Sequence, residues 1–440
     1  MTETSTDAAA GAAASDRPRL DHRLRRMVGR DPAESHRSAT PLELFFDLTF
    51  VIAFSQAGSQ AAHLLELGHF MPAIIAFSFA VFAISWAWIN YSWLASAYDN
   101  DDVYFRVATM VAMIGIILIA LGMPAFFKSI DGGEYIDNRV VVVGYIVMRV
   151  ATIALWLRAA RHDPAHRHAA LTYVVVISIA QVGWILLLVA WLPLVPTLLF
   201  SAILIAFELL GPVIAESRDG GTPWHPHHIA ERYGLLVIIT LGEVVLGTIL
   251  AISAVVEEQG WDLEAGLVVS GGTMLAFGLW WVYFIMPSGA VLARHRARGF
   301  VWGYGHMVIF GALAATGAGL HVAAYVIEGV AHIDDTQALL TVVVPVAVFS
   351  IALFTLYTLL LKQFDPFHIA LFLGSLMPLA LAVAAVQSGW SLGAGIAIIA
   401  LSPVVVVVGF ETVGHRHQAI ALERTLASEP EVEIRLFRRR

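Results

Sequence analysis

Cysteine is absent from the 440 residues of this chain, and charged side chains make up only 14% of it. Without thiols there are no disulfides, thiolate metal sites or cysteine nucleophiles. Soluble domains contain about a quarter charged residues, so this scarcity, combined with 58% hydrophobic residues, predicts a chain that lies mostly in lipid. The net charge of −8 and the scattered arginines do not suggest a nucleic-acid partner. Membrane lipids are the expected surroundings.

Long apolar runs recur along the chain, separated by short polar breaks. Each run has about 20 residues, enough for a helix to cross about 30 Å of hydrocarbon. The runs are too long and continuous for the strands of a membrane barrel. We therefore predict an all-α, polytopic membrane protein of about twelve transmembrane helices. The predicted spans are 43–62, 70–95, 104–124, 138–158, 169–190, 193–213, 231–253, 264–286, 301–323, 337–361, 367–387 and 391–412.

The polar ends of the chain flank this transmembrane domain of residues 41–413. Residues 1–40 are rich in Ala, Ser, Asp and Arg, which predicts a disordered tail rather than a signal peptide. Residues 414–440 form a second tail. With both tails in the cytoplasm, 23 of the 26 basic residues fall on the cytoplasmic side, in agreement with the positive-inside rule.

The possible halves of the domain, 41–215 and 222–413, resemble each other weakly. Span one begins Glu43-Leu-Phe-Phe and span seven begins Glu231-Arg-Tyr-Gly, while spans two and eight both carry clustered Trp and Tyr. This pattern favours two six-helix pseudo-repeats, which many transporters use. The alternative is a chance likeness between apolar helices that are rich in aromatic residues.

Two long motifs point to a known family. The first is Pro41-Leu-Glu-Leu-Phe-Phe-Asp47-Leu-Thr-Phe-Val-Ile-Ala-Phe, and weaker positions are Arg149 and Tyr304-Gly-His306. The second motif comprises Pro223-Trp224-His225, His228, Glu231-Arg232 and Ile238-Ile-Thr-Leu-Gly242-Glu243. Over residues 41–413 the chain resembles the bacterial low-temperature-requirement A (LtrA) family of membrane proteins. The resemblance implies a bacterial cell membrane protein, but it implies no settled biochemical activity.

Ionisable residues inside the spans are the candidate functional groups, because a charge at the bilayer centre costs at least about 2.5 kcal/mol on insertion scales. Their depths place them in the cytoplasmic half or near the midplane, which predicts a vestibule open to the cytoplasm. We expect Arg149 to pair with Glu243, and Glu43 or Asp47 to face Arg106 or His306. The candidate ion, proton or substrate pathway comprises Glu43, Asp47, Arg106, Arg149, Glu208, Glu243 and His306.

Span seven carries two further features. At its mouth lies the motif of His225, His228, Glu231 and Arg232. The run His225-Pro-His227-His228-Ile-Ala-Glu231 either holds a metal through His225, His227 and Glu231 or forms a polar interfacial loop in which Pro226 sets the helix start. The sequence leaves the metal undecided, and no cofactor is expected. Glycines at 234, 242 and 247 permit either a broken helix or a close helix crossing.

Three functions fit these patterns. The first is a proton- or cation-coupled secondary transporter or permease of an unknown small molecule or ion, with Glu243 and Asp47 as carriers and Arg149 as counter-ion or substrate clamp. The second is a membrane sensor or scaffold whose buried ion pairs are structural. The third is an intramembrane enzyme for a lipid-linked substrate, with His306 as acid or base. No established catalytic motif supports the enzyme, and no phosphate loop of the Walker type occurs.

Overall fold

The computed structural model describes residues 24–32, 34, 37–218 and 220–431. Within these residues it contains twelve helices that are long and apolar enough to cross a membrane, and it contains no β-strand. The all-α prediction and the number of twelve spans are therefore confirmed. The helices are α1 (Pro41–Glu66), α2 (Phe70–Tyr98), α3 (Val103–Gly132), α4 (Arg139–His162), α5 (Arg167–Ala190), α6 (Leu194–Glu216), α7 (Pro226–Gln259), α8 (Leu263–Phe284), α9 (Gly299–Ile327), α10 (Asp335–Leu361), α11 (Pro366–Gln387) and α12 (Leu392–Ala427).

Local sequence explains where the two central helices begin. Helix α1 starts with Pro41 after the N-cap Thr40, whose hydroxyl accepts the amide of Glu43 while the Glu43 carboxylate accepts the amide of Thr40. Helix α7 also starts with a proline, Pro226, after the N-cap His225. Helix α7 therefore begins five residues before the predicted start of span seven at residue 231, and it continues for 34 residues without a break.

The same neighbours pack together in both halves of the chain. In the first half the contacting pairs are α1 with α2, α1 with α3, α3 with α4, α4 with α5 and α5 with α6. In the second half they are α7 with α8, α7 with α9, α9 with α10, α10 with α11 and α11 with α12. The halves meet where α1 contacts α7 and α9, and where α2 contacts α7 and α9.

Burial separates the central helices from the peripheral ones. The apolar window of α9 is 72% buried inside the protein, whereas those of α5 and α6 are each 22% buried. Helix α9 therefore lies in the middle of the bundle, while α5 and α6 present most of their surface to lipid. Functional side chains that must be shielded from lipid are best placed near α9 and the helices that it contacts, which include α1 and α7.

The segment before α1 is not a disordered tail in the part that the structure describes. Met27 is completely buried, the amide of Gly29 donates to Asp163 at 3.2 Å, and the amide of Arg30 donates to the Ala97 carbonyl at 3.0 Å. These contacts attach the segment from residue 24 to the ends of α2 and α4. The predicted disorder of residues 1–23 lies outside the described residues.

The chain after residue 413 also packs on the bundle. Helix α12 continues to Ala427, and Glu431 pairs with Arg298 at 2.5 Å and with Lys362 at 2.9 Å. The rest of the second predicted tail, 432–440, lies outside the described residues. Both ends of the helical domain lie at one end of the bundle, as an even number of spans requires. We call this end, which holds Thr40 and Ala427, the terminal side.

Candidate functional site

The strongest concentration of buried charge lies where α1 meets α7 on the terminal side. The Arg232 side chain on α7 reaches two carboxylates on α1: its Nη1 is 3.1 Å from Glu43 Oε1, and its Nη2 is 2.5 Å from Asp47 Oδ1. Its Nε also donates to Asp47 Oδ2 at 3.1 Å, so the Asp47 contact is bidentate. The indole Nε1 of Trp88 donates to Asp47 Oδ1 at 2.7 Å. No side chain among these four is more than 1% exposed.

Glu43 has further basic neighbours. The Nε2 of His228 lies 3.2 Å from Glu43 Oε2, and Nη2 of Arg37 lies 3.7 Å from Glu43 Oε1. Arg37 belongs to the segment before α1, and the same Nη2 donates to the Ala95 carbonyl at 2.7 Å. We call Arg37, Glu43, Asp47, His228 and Arg232 the terminal-side cluster.

The terminal-side cluster corrects the predicted vestibule. Glu43, His228 and Arg232 have no exposed surface, and Asp47 is 1% exposed. The described residues here pack into a closed end, because aromatic rings and the docked N-terminal segment cover the charges. Within the cluster the charges pair with opposite charges, although some buried atoms, among them Glu43 Oε1 and Arg232 Nη1, have no hydrogen-bond partner among the described residues.

The paired residues occupy equivalent places on α1 and α7. Counted from the two N-cap–Pro starts, Glu43 corresponds to His228 and Asp47 corresponds to Arg232, and each of these contacting pairs is 185 residues apart. The equivalent of Glu43 is therefore His228 and not Glu231, the residue that the weak likeness between the two spans suggests. Contact between equivalent positions is the property of a two-fold interface. Here an acidic residue on one helix meets a basic residue on the other.

Arg149 does not pair with Glu243, and that prediction is wrong. Its Nη2 lies 3.0 Å from Glu208 Oε2 on α6, and the same nitrogen is 3.1 Å from the Tyr145 hydroxyl. The indole groups of Trp86 and Trp184 donate to the two oxygens of Glu208 at 2.5 and 2.7 Å. The depth of Arg149 along its helix did not predict its partner, because α4 packs mainly against the other helices of the first half.

Arg106 and His306 also lie away from Glu43 and Asp47. Arg106 forms an exposed ion pair with Asp101 at 2.7 Å. His306 is buried, with Nδ1 2.7 Å from the Trp302 carbonyl and Nε2 3.0 Å from the Tyr283 hydroxyl. Because a carbonyl only accepts, Nδ1 carries the hydrogen and the neutral ring accepts from Tyr283 through Nε2. The predicted contacts of these two residues with the α1 carboxylates are wrong.

Glu243 lies apart from both ion-pair clusters, on the face of α7 that packs against α1 and α9. It is 8% exposed, and the Ser55 side chain on α1 lies near its carboxylate. Among the described residues, no basic side chain forms an ion pair with it. A Cβ built on Gly58 would lie 3.8 Å from Glu243 Oε2 and within 4.0 Å of Ala314 and Ala318. None of these neighbouring side chains titrates.

Glycines explain how three helices approach one another at Glu243. A Cβ on Gly317 of α9 would lie only 2.4 Å from the backbone carbonyl carbon of Glu243, and a Cβ on Gly247 would lie 2.4 Å from the Gly317 carbonyl oxygen. Helix α7 is continuous here, so Gly247 serves a close helix crossing rather than a break.

The histidines at the start of α7 make local hydrogen bonds. The Nε2 of His225 donates to the Glu34 carbonyl at 2.7 Å, and its Nδ1 accepts the amide of His228. Glu231 is exposed and accepts the amide of Ala39 at 3.4 Å. Within the described part of the chain, no group of three or more His, Cys, Asp or Glu could hold a metal ion.

The comparison with protein families now identifies the chain. The sequence model of the bacterial low temperature requirement A protein (LtrA) matches residues 38–407, which includes all but the end of the helical domain. The chain belongs to the LtrA family. It is a multi-pass membrane protein.

Other comparisons add little about activity. A protein of Rhizobium meliloti (strain 1021), described as uncharacterized, is 27% identical to this LtrA chain over 304 residues, which cover 63% of this chain and 67% of the relative. No solved structure matches the chain.

The two motifs that resembled LtrA meet in the terminal-side cluster. The first supplies Glu43 and Asp47, and the second supplies His228 and Arg232. The second motif also ends at Glu243, about 16 Å farther along α7 than Arg232 at 1.5 Å per residue. The LtrA motifs thus place both a closed ionic contact and a separate buried carboxylate on the interface of α1 and α7.

Sequence reasoning missed the tryptophans that hold the carboxylates of this LtrA protein. Trp86 and Trp88 on α2 are 1% and 0% exposed and donate to Glu208 and Asp47. The available signal was the indole N–H, which usually has an acceptor when it is buried.

It also missed two aspartates in the loop between α2 and α3. Burial and the neighbouring Glu43 carboxylate raise the pKa of Asp99 to about 6. Burial acts in the same direction on Asp102, but hydrogen bonds from Arg158 and from backbone amides lower the pKa of Asp102 to about 2. Both aspartates contact the N-terminal segment, since Asp99 accepts the Thr40 hydroxyl at 3.3 Å and Asp102 accepts the amide of Arg25 at 3.0 Å.

Proposed function

We propose that this LtrA-family protein is a secondary transporter or permease of the bacterial cell membrane, coupled to protons or a cation that Glu243 carries. Both termini lie in the cytoplasm in this proposal, because the basic residues concentrate on the terminal side. The partners are membrane lipids and a small molecule or ion. The observation that carries the proposal is the Glu243 carboxylate, buried at the junction of α1, α7 and α9 without a basic partner among the described residues.

A carboxylate in that position is suited to binding and releasing a cation. Holding a bare negative charge there is costly, so the group favours a proton or another cation as its partner. The carboxylates of Asp47 and Glu208 differ, because each already has an arginine and at least one indole donor. Glu243 is therefore a better candidate carrier than Asp47.

The terminal-side cluster supplies a closure for the proposed pathway. Each of its main contacts joins one half of the protein to the other, since Glu43 and Asp47 lie on α1 while His228 and Arg232 lie on α7. The repeated packing pattern favours two pseudo-repeats that can rock against each other. In such a motion, separation of α1 from α7 would break the cluster and open the cytoplasmic side.

A sensor or scaffold is the second candidate, and the packing of the same cluster favours it. Complete burial of oppositely charged side chains is also what a fixed, structural contact requires. The enzyme hypothesis has less support, because both ring nitrogens of its proposed acid or base, His306, are already hydrogen-bonded.

Transport can be tested with purified protein in vesicles that contain a pH-sensitive dye. Inorganic cations, organic cations, organic anions, amino acids and sugars are added in turn under a proton gradient. We expect one class to drive proton movement in the wild type. Glu243→Gln should insert and fold normally yet abolish that movement, because the amide cannot exchange a proton.

The matched control is Glu257→Gln, which changes an exposed residue of the same helix and should keep the wild-type response. Full proton movement by Glu243→Gln would exclude Glu243 as the carrier. If no solute class moves protons in the wild type, and none is taken up under a sodium or potassium gradient, the transport proposal fails and the scaffold is favoured.

A further inference from the structure

A lateral groove enters the bundle between α1, α2, α9 and α10. It has a volume of about 420 Å³ and lies near the end of α1 and the starts of α2 and α10, away from the terminal side. Its walls are almost wholly apolar, with Gln337 and Thr341 as the polar exceptions. The apolar wall includes Ala61, Ile74, Phe77, Ala315, Ala318 and Val344.

The inner wall of the groove adjoins Glu243. Ala318 lines the groove, and its Cβ lies 3.9 Å from the point where a Cβ on Gly58 would stand. Glu243 Oε2 lies 3.8 Å from that same point. Ala61, another lining residue, is one turn along α1 from Gly58 and therefore on the same face. Ala318 of the groove wall and the Glu243 carboxylate therefore both pack against Gly58.

These features select a chemical class of ligand. The volume lies within the range of about 300–1,000 Å³ that is usual for small-molecule sites, and the apolar wall favours a hydrophobic body. An organic anion would be repelled by the carboxylate, and a sugar would find too few hydrogen-bonding groups. A cationic group is the natural partner for Glu243, since an opposite charge satisfies a carboxylate that lacks a basic neighbour.

We propose that the groove admits a hydrophobic organic cation from the membrane and that its charged group pairs with Glu243. The exchange is balanced, because protonated Glu243 releases one proton as one monovalent cation binds, and the site keeps the same net charge. This substrate assignment rests on the proposed function, in which Glu243 carries the coupling ion.

The test uses three probes with similar phenyl groups but different charge. Tetraphenylphosphonium is a permanent cation, tetraphenylborate is an anion, and triphenylphosphine oxide is neutral. Binding to the purified full-length protein is measured by equilibrium dialysis, and proton release is measured in weakly buffered solution. We expect saturable binding of tetraphenylphosphonium only, with release of one proton for each cation bound.

Substitutions test whether the cation binds in the groove or elsewhere on the protein surface. Glu243→Gln should weaken binding of the cation by about tenfold or more and abolish proton release, because a charged contact is lost. Ala315→Leu should weaken binding by filling the groove, whereas Ala154→Leu changes a half-buried alanine on α4 and should leave binding unchanged. Thermal unfolding of each variant verifies that it is folded.

The proposal is overturned if tetraphenylborate binds as well as the cation, if Glu243→Gln retains full affinity, or if Ala315→Leu and Ala154→Leu have equal effects. The vesicle experiment distinguishes this failure from failure of the proposed function. If another solute class drives proton movement that depends on Glu243, the transport proposal is supported. The organic cation is then rejected as the substrate.

Discussion

At the residue scale, tryptophan is as important as arginine for holding the buried carboxylates. Asp47 accepts the Trp88 indole, and Glu208 accepts those of Trp86 and Trp184. An indole N–H satisfies a carboxylate oxygen without bringing a second charge into the membrane. An arginine supplies the counter-charge at each of the two sites, and the tryptophans orient the carboxylate.

The pair of Arg149 and Glu208 makes a direct prediction about stability. Removing one partner leaves a buried, uncompensated charge, so Arg149→Met and Glu208→Gln should each cost about 3–5 kcal/mol of unfolding free energy. The double variant should lose less unfolding free energy than the two single variants lose in total. Glutamine is used at position 208 because its side-chain oxygen can still accept an indole N–H. The measurement is reversible unfolding in detergent micelles.

Glu243→Gln provides the control for that cycle. Combined with Arg149→Met, it should give an effect equal to the sum of the single effects, because Glu243 and Arg149 do not pair. A coupling between these two residues as large as that between Arg149 and Glu208 would contradict the structure.

At the element scale, the crossing of α1, α7 and α9 depends on where each glycine faces. The Gly317 position on α9 faces the Glu243 backbone, which cannot move without the whole of α7. The Gly58 position on α1 faces side-chain and carbonyl atoms at ordinary van der Waals distances of 3.8–4.0 Å. The two glycines therefore have different tolerances for a methyl group, although both lie near the same carboxylate.

We predict that Gly317→Ala destabilises the protein by about 1–3 kcal/mol, because the added carbon must push α9 away from α7. Gly58→Ala should leave the stability within about 1 kcal/mol of the wild type, since its methyl group fits and alanine is the better helix former. Thermal unfolding of both variants in the same detergent checks the difference. Equal destabilisation would show that the packing at Gly58 is tighter than the structure has it.

At the scale of the whole molecule, two of the ionic contacts between the halves are made by equivalent positions. Asp47 and Arg232 are each the seventh residue of a helix, counted from the proline that follows the N-cap. They face each other across α1 and α7. If the halves are related by a pseudo-two-fold axis, the two positions have similar surroundings. The stability of the protein should then depend mainly on the two charges being opposite, and less on which helix carries the acidic residue.

A charge exchange tests this idea. Asp47→Arg and Arg232→Asp should each destabilise the protein by about 3–5 kcal/mol, because each places like charges together in a buried site. The double variant should recover part of that loss, though not all, because Trp88 loses the carboxylate to which it donates. Unfolding free energies of the four proteins measure the recovery. If the double variant is no more stable than the less stable of the two single variants, the equivalence of the two positions is rejected.

The sequence by itself determined the membrane architecture. Apolar runs long enough to cross the bilayer specified twelve helices, because a backbone in lipid must satisfy its hydrogen bonds within each helix. The long motifs specified the family, which the match over residues 38–407 confirmed. The sequence also identified Glu43, Asp47 and Arg232 as important, but it did not pair Arg232 with the two acids.

Only the tertiary structure decided which charges meet. A residue number converts to height along a helix axis, so Arg149, Glu208 and Glu243 could be placed roughly in depth. Height says nothing about which helices are neighbours in the membrane plane. That depends on the packing of many apolar side chains and glycines, and it joined Arg149 to Glu208, closed the expected vestibule with the terminal-side cluster and left Glu243 between α1 and α9.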